Sequence, residues 1–97
     1  MENKNTFQHI AVRDLVSYEN NSRTHSDEQI AQLVESISEF GFTNPILIDE
    51  NNQIIAGHGR LIAAERLGFV ELPTICLVGL TEAQKKAYVI ADNQLRS

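Results

Sequence analysis

The most informative segment of this sequence is Ile54-Ile55-Ala56-Gly57-His58-Gly59-Arg60, continued by Leu61 to Leu67. Its β-branched start indicates a strand, and its end, apolar on one side, indicates a helix. Glycine lacks Cβ and lets the backbone approach a ligand, while a helix start offers N–H groups and a positive dipole end. The pattern therefore indicates an anion site, to which Arg60 adds a charged fork. A plain tight turn with an exposed arginine explains the same letters, because they form neither a Walker nor a dinucleotide motif.

The segments on either side predict an α+β domain with a small mixed sheet and about three helices. Capping boxes at Ser26 and Thr81 start two helices, and Gly41 ends the first. Successive apolar residues in the strand pair before Gly57 imply that both faces of that hairpin are covered. The expected elements are a strand at 9–16, a helix at 27–40, strands at 45–49 and 53–56, a helix at 60–67, a strand at 72–78 and a helix after Thr81.

Length and composition indicate one domain over residues 1–97, with a polar N-terminal tail at 1–8. No apolar run approaches the roughly 20 residues needed to cross a bilayer, and the start lacks a signal peptide, so we expect a cytoplasmic protein. The net charge of −5 argues against autonomous DNA binding, which draws on Lys and Arg. A single cysteine, Cys76, cannot form an internal disulfide.

Several spaced motifs occur in a fixed order along the chain. They are Asn21-Ser22-Arg23, Glu39-Phe40-Gly41-Phe42, Asn44-Pro45-Ile46-Leu47-Ile48, Ile55-Ala56-Gly57-His58-Gly59-Arg60-Leu61-Ile62-Ala63-Ala64 and Leu72-Pro73. Together they resemble the N-terminal domain of ParB proteins, over roughly residues 9–95. The resemblance implies the ParB/sulfiredoxin fold, and the variant of the glycine turn is most similar to ParB-like domains of phage and mobile elements that often precede a DNA methyltransferase domain.

The same resemblance implies a site for a nucleoside triphosphate with Mg²⁺. Where ParB proteins have Gly-Glu-Arg-Arg, this chain has Gly57-His58-Gly59-Arg60, so the phosphate-binding role carries over to the glycines and Arg60. His58 is predicted as a further phosphate donor. Asp92-Asn93 is the nearest match to the Glu-Asn pair that helps to hold magnesium, although Asp92 is equally typical of a solvated helix end. The remaining predicted phosphate-binding residues are Asn21, Arg23, Thr43 and Asn44.

Three functions are compatible with these residues. The first is a nucleotide-responsive module in DNA-related processes, at most a slow NTPase, which reaches DNA indirectly or through another domain and forms a possible homodimer. The second is an interaction domain whose nucleotide pocket has decayed, because His58 and Gly59 depart from the family box. The third is a serine-type phosphotransferase, which needs Glu35 to face inward. Sulfiredoxin activity is not expected, because that enzyme needs a cysteine in the glycine turn.

Overall fold

The computed structural model describes residues 6–17 and 26–95, except for the side chains of residues 92–95. Across these described residues, four strands and three α-helices follow one another in the predicted order, and one short 3₁₀ helix is added. The elements are β1 (Thr6–Ala11), the 3₁₀ helix (Val12–Asp14), α1 (Asp27–Phe40), β2 (Ile46–Ile48), β3 (Ile54–Ala56), α2 (His58–Arg66), β4 (Glu71–Cys76) and α3 (Glu82–Leu95).

The four strands form one mixed sheet in the order β1-β4-β2-β3. β4 is an interior strand of the sheet. It pairs antiparallel with β1 and parallel with β2. β2 and β3 form the predicted hairpin, so the glycine turn that follows β3 lies at one edge of the sheet. The α+β fold class is thereby confirmed.

Apolar side chains from the sheet and α2 form the main core. Ile54 and Ile55 are both fully buried although they are neighbours in an extended strand, so the hairpin is covered on both faces, as predicted. α1 packs on α2 through a second cluster that contains Ile30, Ile37 and Ala63. The main cluster consists of Ile46, Ile48, Ile54, Leu61, Ala64 and Leu72.

The predicted helix starts are present as hydrogen-bonded capping boxes. Ser26 Oγ accepts from the N–H of Gln29 at 3.1 Å, and the Gln29 side chain accepts from the N–H of Ser26 at 3.2 Å. Thr81 and Gln84 repeat the same pair of bonds before α3, at 3.1 and 2.9 Å. Gly41 ends α1 with a positive φ of 81°, a conformation that favours glycine.

Several predicted boundaries were wrong, among them the end of the last strand, which lies at Cys76 rather than at residue 78. The tail does not extend to Gln8, because β1 begins at Thr6, which is paired with Cys76 of β4. Thr6 and Gln8 are polar, so they do not indicate a strand by themselves. They belong to a strand because they pair with β4. The segment 12–14 turns into the 3₁₀ helix rather than continuing the strand. α2 begins at His58, two positions before the predicted start at Arg60, so the glycine turn is itself the first helical turn.

A buried ion pair attaches α3 to the turn of the β2–β3 hairpin. Asp49 is fully buried, and its carboxylate accepts from the N–H groups of Asn51 at 2.8 Å and Gln53 at 2.9 Å. Its second oxygen accepts from Lys85 Nζ at 3.0 Å. In the next residue, Glu50, the carboxylate accepts from the N–H of Gly79 at 3.0 Å. The hairpin turn therefore holds both the β4–α3 connection and the first half of α3.

The ion pair gives stability a predicted pH dependence. Burial opposes ionisation of Asp49 most strongly, but the bonds from Gln53, Lys85 and Asn51 together lower its pKa from 3.8. The hydrogen bond to Asp49 raises the pKa of Lys85 from 10.5. A lowered carboxylate pKa stabilises the fold above the unfolded value, and a raised lysine pKa does so below it. We expect the free energy of unfolding to fall as the pH drops below about 4 and as it rises past about 10.5.

Urea unfolding at several pH values measures this dependence, with Asp49→Asn as the test and Asp14→Asn, at an exposed position, as the control. The acid loss should shrink in Asp49→Asn and persist in Asp14→Asn. An unchanged acid profile in Asp49→Asn would contradict the assignment.

Candidate functional site

Gly57 forms the turn between β3 and α2. It is the N-cap of α2 and has a φ of 101°, in the left-handed region. A Cβ at this position would lie 2.9 Å from Arg60 Nη2 and 3.1 Å from Ile46 Cγ1. Glycine is therefore required here by the backbone conformation, and an added Cβ would also displace the end of the Arg60 side chain and crowd Ile46.

Arg60 folds back over this turn toward the beginning of β2. Its Nη2 donates to the carbonyl oxygen of Pro45 at 3.1 Å, and the residue is half-buried. Pro45 directly follows Thr43 and Asn44, two exposed residues that were predicted to contact the nucleotide. The structure thus brings Arg60 and the segment 43–45 together, although they are far apart in sequence.

His58, the first residue of α2, is 1% exposed. Its Nε2 lies 3.1 Å from Ser17 Oγ. The predicted role of the histidine as a phosphate donor requires access to the ligand, whereas this ring is packed inside and contacts a serine. The start of a helix in general attracts an anion through its main-chain N–H groups and its positive dipole end.

The segment that carries Ser17 lies along the outer edge of β3. Val16 forms a parallel bridge with Gln53. The N–H of Val16 donates to Asn52 O at 2.9 Å, and the N–H of Ile54 donates to Val16 O at 2.8 Å. Through these two bonds, Val16 is added to the edge of the sheet. Ser17, the next residue, therefore lies beside the glycine turn.

Four predicted site residues cannot be placed. Asn21 and Arg23 lie outside the described residues, as do the side chains of Asp92 and Asn93, whose main chain belongs to α3. Within the described part of the chain, no three His, Cys, Asp or Glu residues form a group able to hold a metal ion. The magnesium site at Asp92 and Asn93 stays a prediction.

The surroundings of two other residues, Glu35 and Cys76, do not suit a catalytic role. Glu35 is exposed on α1, where it lines an open surface depression with Glu28 and Glu39. It does not face inward as a phosphotransferase base would have to. Cys76 ends β4 and packs against the main core, and burial, with Glu50 and Asp49 nearby, raises the pKa of its thiol. A raised pKa disfavours the nucleophilic thiolate.

Sequence reasoning missed two of the long-range polar contacts, Asp49–Lys85 and Ser17–His58. Asp49 followed by Glu50-Asn51-Asn52 carries a turn signal, since Asp side chains commonly accept main-chain N–H bonds two residues on. That signal indicates the turn but not the lysine. No pattern in the sequence joins Ser17 to His58.

In the part of the chain that the structure describes, no helix has the length and apolar character needed to span a membrane.

The fold and the strand–turn–helix at Gly57 define an α+β domain of the ParB/sulfiredoxin class. The chain belongs to the ParB N-terminal domain family, whose model matches residues 1–93. A ParB-like nuclease domain-containing protein of Escherichia coli (strain K12), YnaK, is 59% identical over 75 residues, which cover 77% of this chain and 86% of that protein.

Two solved structures show the same fold. The C-terminally truncated chromosome-partitioning protein ParB from Caulobacter crescentus, complexed with CTP-gamma-S, is 26% identical with a TM-score of 0.79 and covers 95% of this chain. The chain spans 54% of that structure. Sulfiredoxin from Arabidopsis thaliana is 16% identical with a TM-score of 0.66, over 88% of this chain and 97% of the other, a likeness that concerns the fold alone.

Proposed function

We propose that this ParB-family domain binds a nucleoside triphosphate at the first turn of α2. The observation that carries the proposal is the placement of Arg60, whose guanidinium lies over the Gly57 turn and contacts Pro45 O at 3.1 Å. The N-terminus of α2 lies there beside Gly57, which lets the backbone come close to a ligand, and beside the Arg60 guanidinium. This combination suits the phosphates of a nucleotide. The Caulobacter crescentus ParB in complex with CTP-gamma-S supports this class of ligand.

Within this proposal, Mg²⁺ accompanies the nucleotide and Asp92 and Asn93 supply oxygen ligands, the type that Mg²⁺ prefers. Asn21 and Arg23 add polar contacts from the segment before α1. DNA is reached indirectly or through another domain, because the chain has eight Lys and Arg against thirteen Asp and Glu. The mobile-element and methyltransferase setting rests on the sequence resemblance, and the reading frame downstream of the gene tests it.

We expect Arg60→Ala to weaken nucleotide binding by at least about tenfold, since a hydrogen bond to a charged group contributes about 1.5–3 kcal/mol. Arg60→Lys should retain part of the affinity, because it keeps the charge but loses the fork. Calorimetry with CTP, ATP and GTP, each with and without Mg²⁺, measures the dissociation constants and the base preference.

Arg66→Ala is the matched control, because it removes an arginine from the other end of α2. Arg66 is half-exposed and its Nη2 lies 3.7 Å from Asp27 Oδ1. Binding weaker than millimolar in the unaltered protein, or equal affinities in Arg60→Ala and Arg66→Ala, would refute the proposed function.

A second candidate is an interaction domain without a working nucleotide pocket. The observation in its favour is that Gly57, His58 and Gly59 are all buried, while Arg60 already contacts a protein carbonyl. A protein of this kind shows no shift in melting temperature with any of the three nucleotides. Sedimentation analysis with and without nucleotide then decides whether the domain forms a homodimer in either case.

A further inference from the structure

The contact between Ser17 and His58 joins the first turn of α2 to a distant part of the chain. His58 Nε2 and Ser17 Oγ lie 3.1 Å apart across a separation of 41 residues. The histidine is buried and the serine is exposed. The bond therefore reaches from the surface of the sheet edge into the base of the glycine turn.

Ser17 is itself held in place by the sheet. Val16, the preceding residue, is bonded through both its N–H and its carbonyl oxygen to the chain around Gln53. Ser17 follows this paired residue directly, so the pairing of Val16 fixes where the Ser17 main chain begins and brings its hydroxyl to His58.

The first turn of α2 is consequently fastened on two sides. On one side, His58 contacts Ser17 of the edge segment. On the other, Arg60 donates to Pro45 O at the beginning of β2. Between the two contacts lies Gly59, which is buried and so leaves little room for the turn to shift.

We propose that Ser17 and His58 are positioning residues, which set the orientation in which α2 presents its first-turn N–H groups and Arg60 to phosphate. The inference rests on the proposed function and assigns the side chain of His58 a role other than direct phosphate contact. Affinity gains from groups that are fixed before the ligand arrives, because binding then spends less free energy on ordering them.

The test compares Ser17→Val with Ser17→Thr, two side chains of nearly equal shape of which only threonine keeps the hydroxyl. Ser17 is exposed, so neither change disturbs the core. We expect Ser17→Val to bind Mg²⁺-CTP about fivefold more weakly, which corresponds to the free energy of one hydrogen bond. Ser17→Thr should bind Mg²⁺-CTP as tightly as the unaltered protein. Ser36→Ala, at an exposed position of α1, is the control for loss of a serine hydroxyl.

A second readout needs no nucleotide. The N–H of Leu61 donates to Gly57 O at 3.0 Å, the first bond of α2, so its hydrogen exchange reports on the first turn. We expect exchange at Leu61 to accelerate several-fold in Ser17→Val and to stay unchanged in Ser17→Thr and Ser36→Ala.

Equal Leu61 exchange in Ser17→Val and Ser17→Thr overturns the inference, whatever the affinities. Faster exchange in Ser17→Val with unaltered nucleotide affinity also overturns it, because the turn is then tethered without effect on the ligand. If the unaltered protein binds none of the three nucleotides, the proposed function fails, and the Leu61 exchange still decides whether Ser17 fixes the turn.

Discussion

Asp49→Ala should destabilise the domain by about 3–5 kcal/mol, the range for removing one partner of a buried ion pair. The carboxylate is fully buried and accepts three hydrogen bonds, from Asn51, Gln53 and Lys85. Its removal leaves two main-chain N–H groups without their acceptor and leaves the Lys85 ammonium with the exposed Glu82 carboxylate, 3.5 Å away. Small domains have a total stability of about 5–15 kcal/mol, so this single change removes a large share of it.

Urea unfolding followed by circular dichroism measures the loss, with Asp14→Ala as the control at an exposed acidic position. Lys85→Met should destabilise less than Asp49→Ala, because Asp49 then keeps its two main-chain bonds and the methionine stem fills the same place. A cost for Asp49→Ala no greater than for Asp14→Ala, or one smaller than for Lys85→Met, would contradict the role assigned to the carboxylate.

Gly57→Ala is expected to lower both stability and nucleotide affinity. A left-handed conformation costs a residue with a Cβ about 1–2 kcal/mol. The new methyl group would also lie 2.9 Å from Arg60 Nη2 and 3.1 Å from Ile46 Cγ1. Crowding against a packed core residue typically adds about 1 kcal/mol or more, and the guanidinium must leave its place beside Pro45.

Gly68→Ala separates these two effects. Gly68 has a similar φ of +84° but nothing within 4 Å of an added Cβ. Only the conformational cost applies there, so Gly68→Ala should be about 1 kcal/mol less destabilising than Gly57→Ala and should bind Mg²⁺-CTP normally. Gly57→Ala should bind about tenfold more weakly, as Arg60→Ala does. Equal stability and equal affinity in the two alanine variants would show that the space around Gly57 is unimportant.

The helices and the hairpin could be predicted from the sequence because their signals are local. The Ser26–Gln29 and Thr81–Gln84 bonds each join residues three apart, and the apolar periodicity of α1 repeats within a few turns. The start of β1 could not be predicted, because Thr6 and Gln8 become strand residues only through pairing with β4. The predicted start of α2, at Arg60, lies two residues after the observed start at His58. The segment Gly57-His58-Gly59 has a low helix propensity, which tertiary contacts override.

Some features of the candidate site could likewise be predicted from local sequence signals, and others could not. A β-branched run, a glycine pair and an amphipathic helix are adjacent in the chain, so local signals alone predict that Gly57 and Arg60 lie at a strand–helix junction. The contacts of Arg60 with Pro45, of His58 with Ser17 and of Asp49 with Lys85 depend instead on the packing of the fold. The last two contacts span 41 and 36 residues, and they form only because the sheet order brings these segments together.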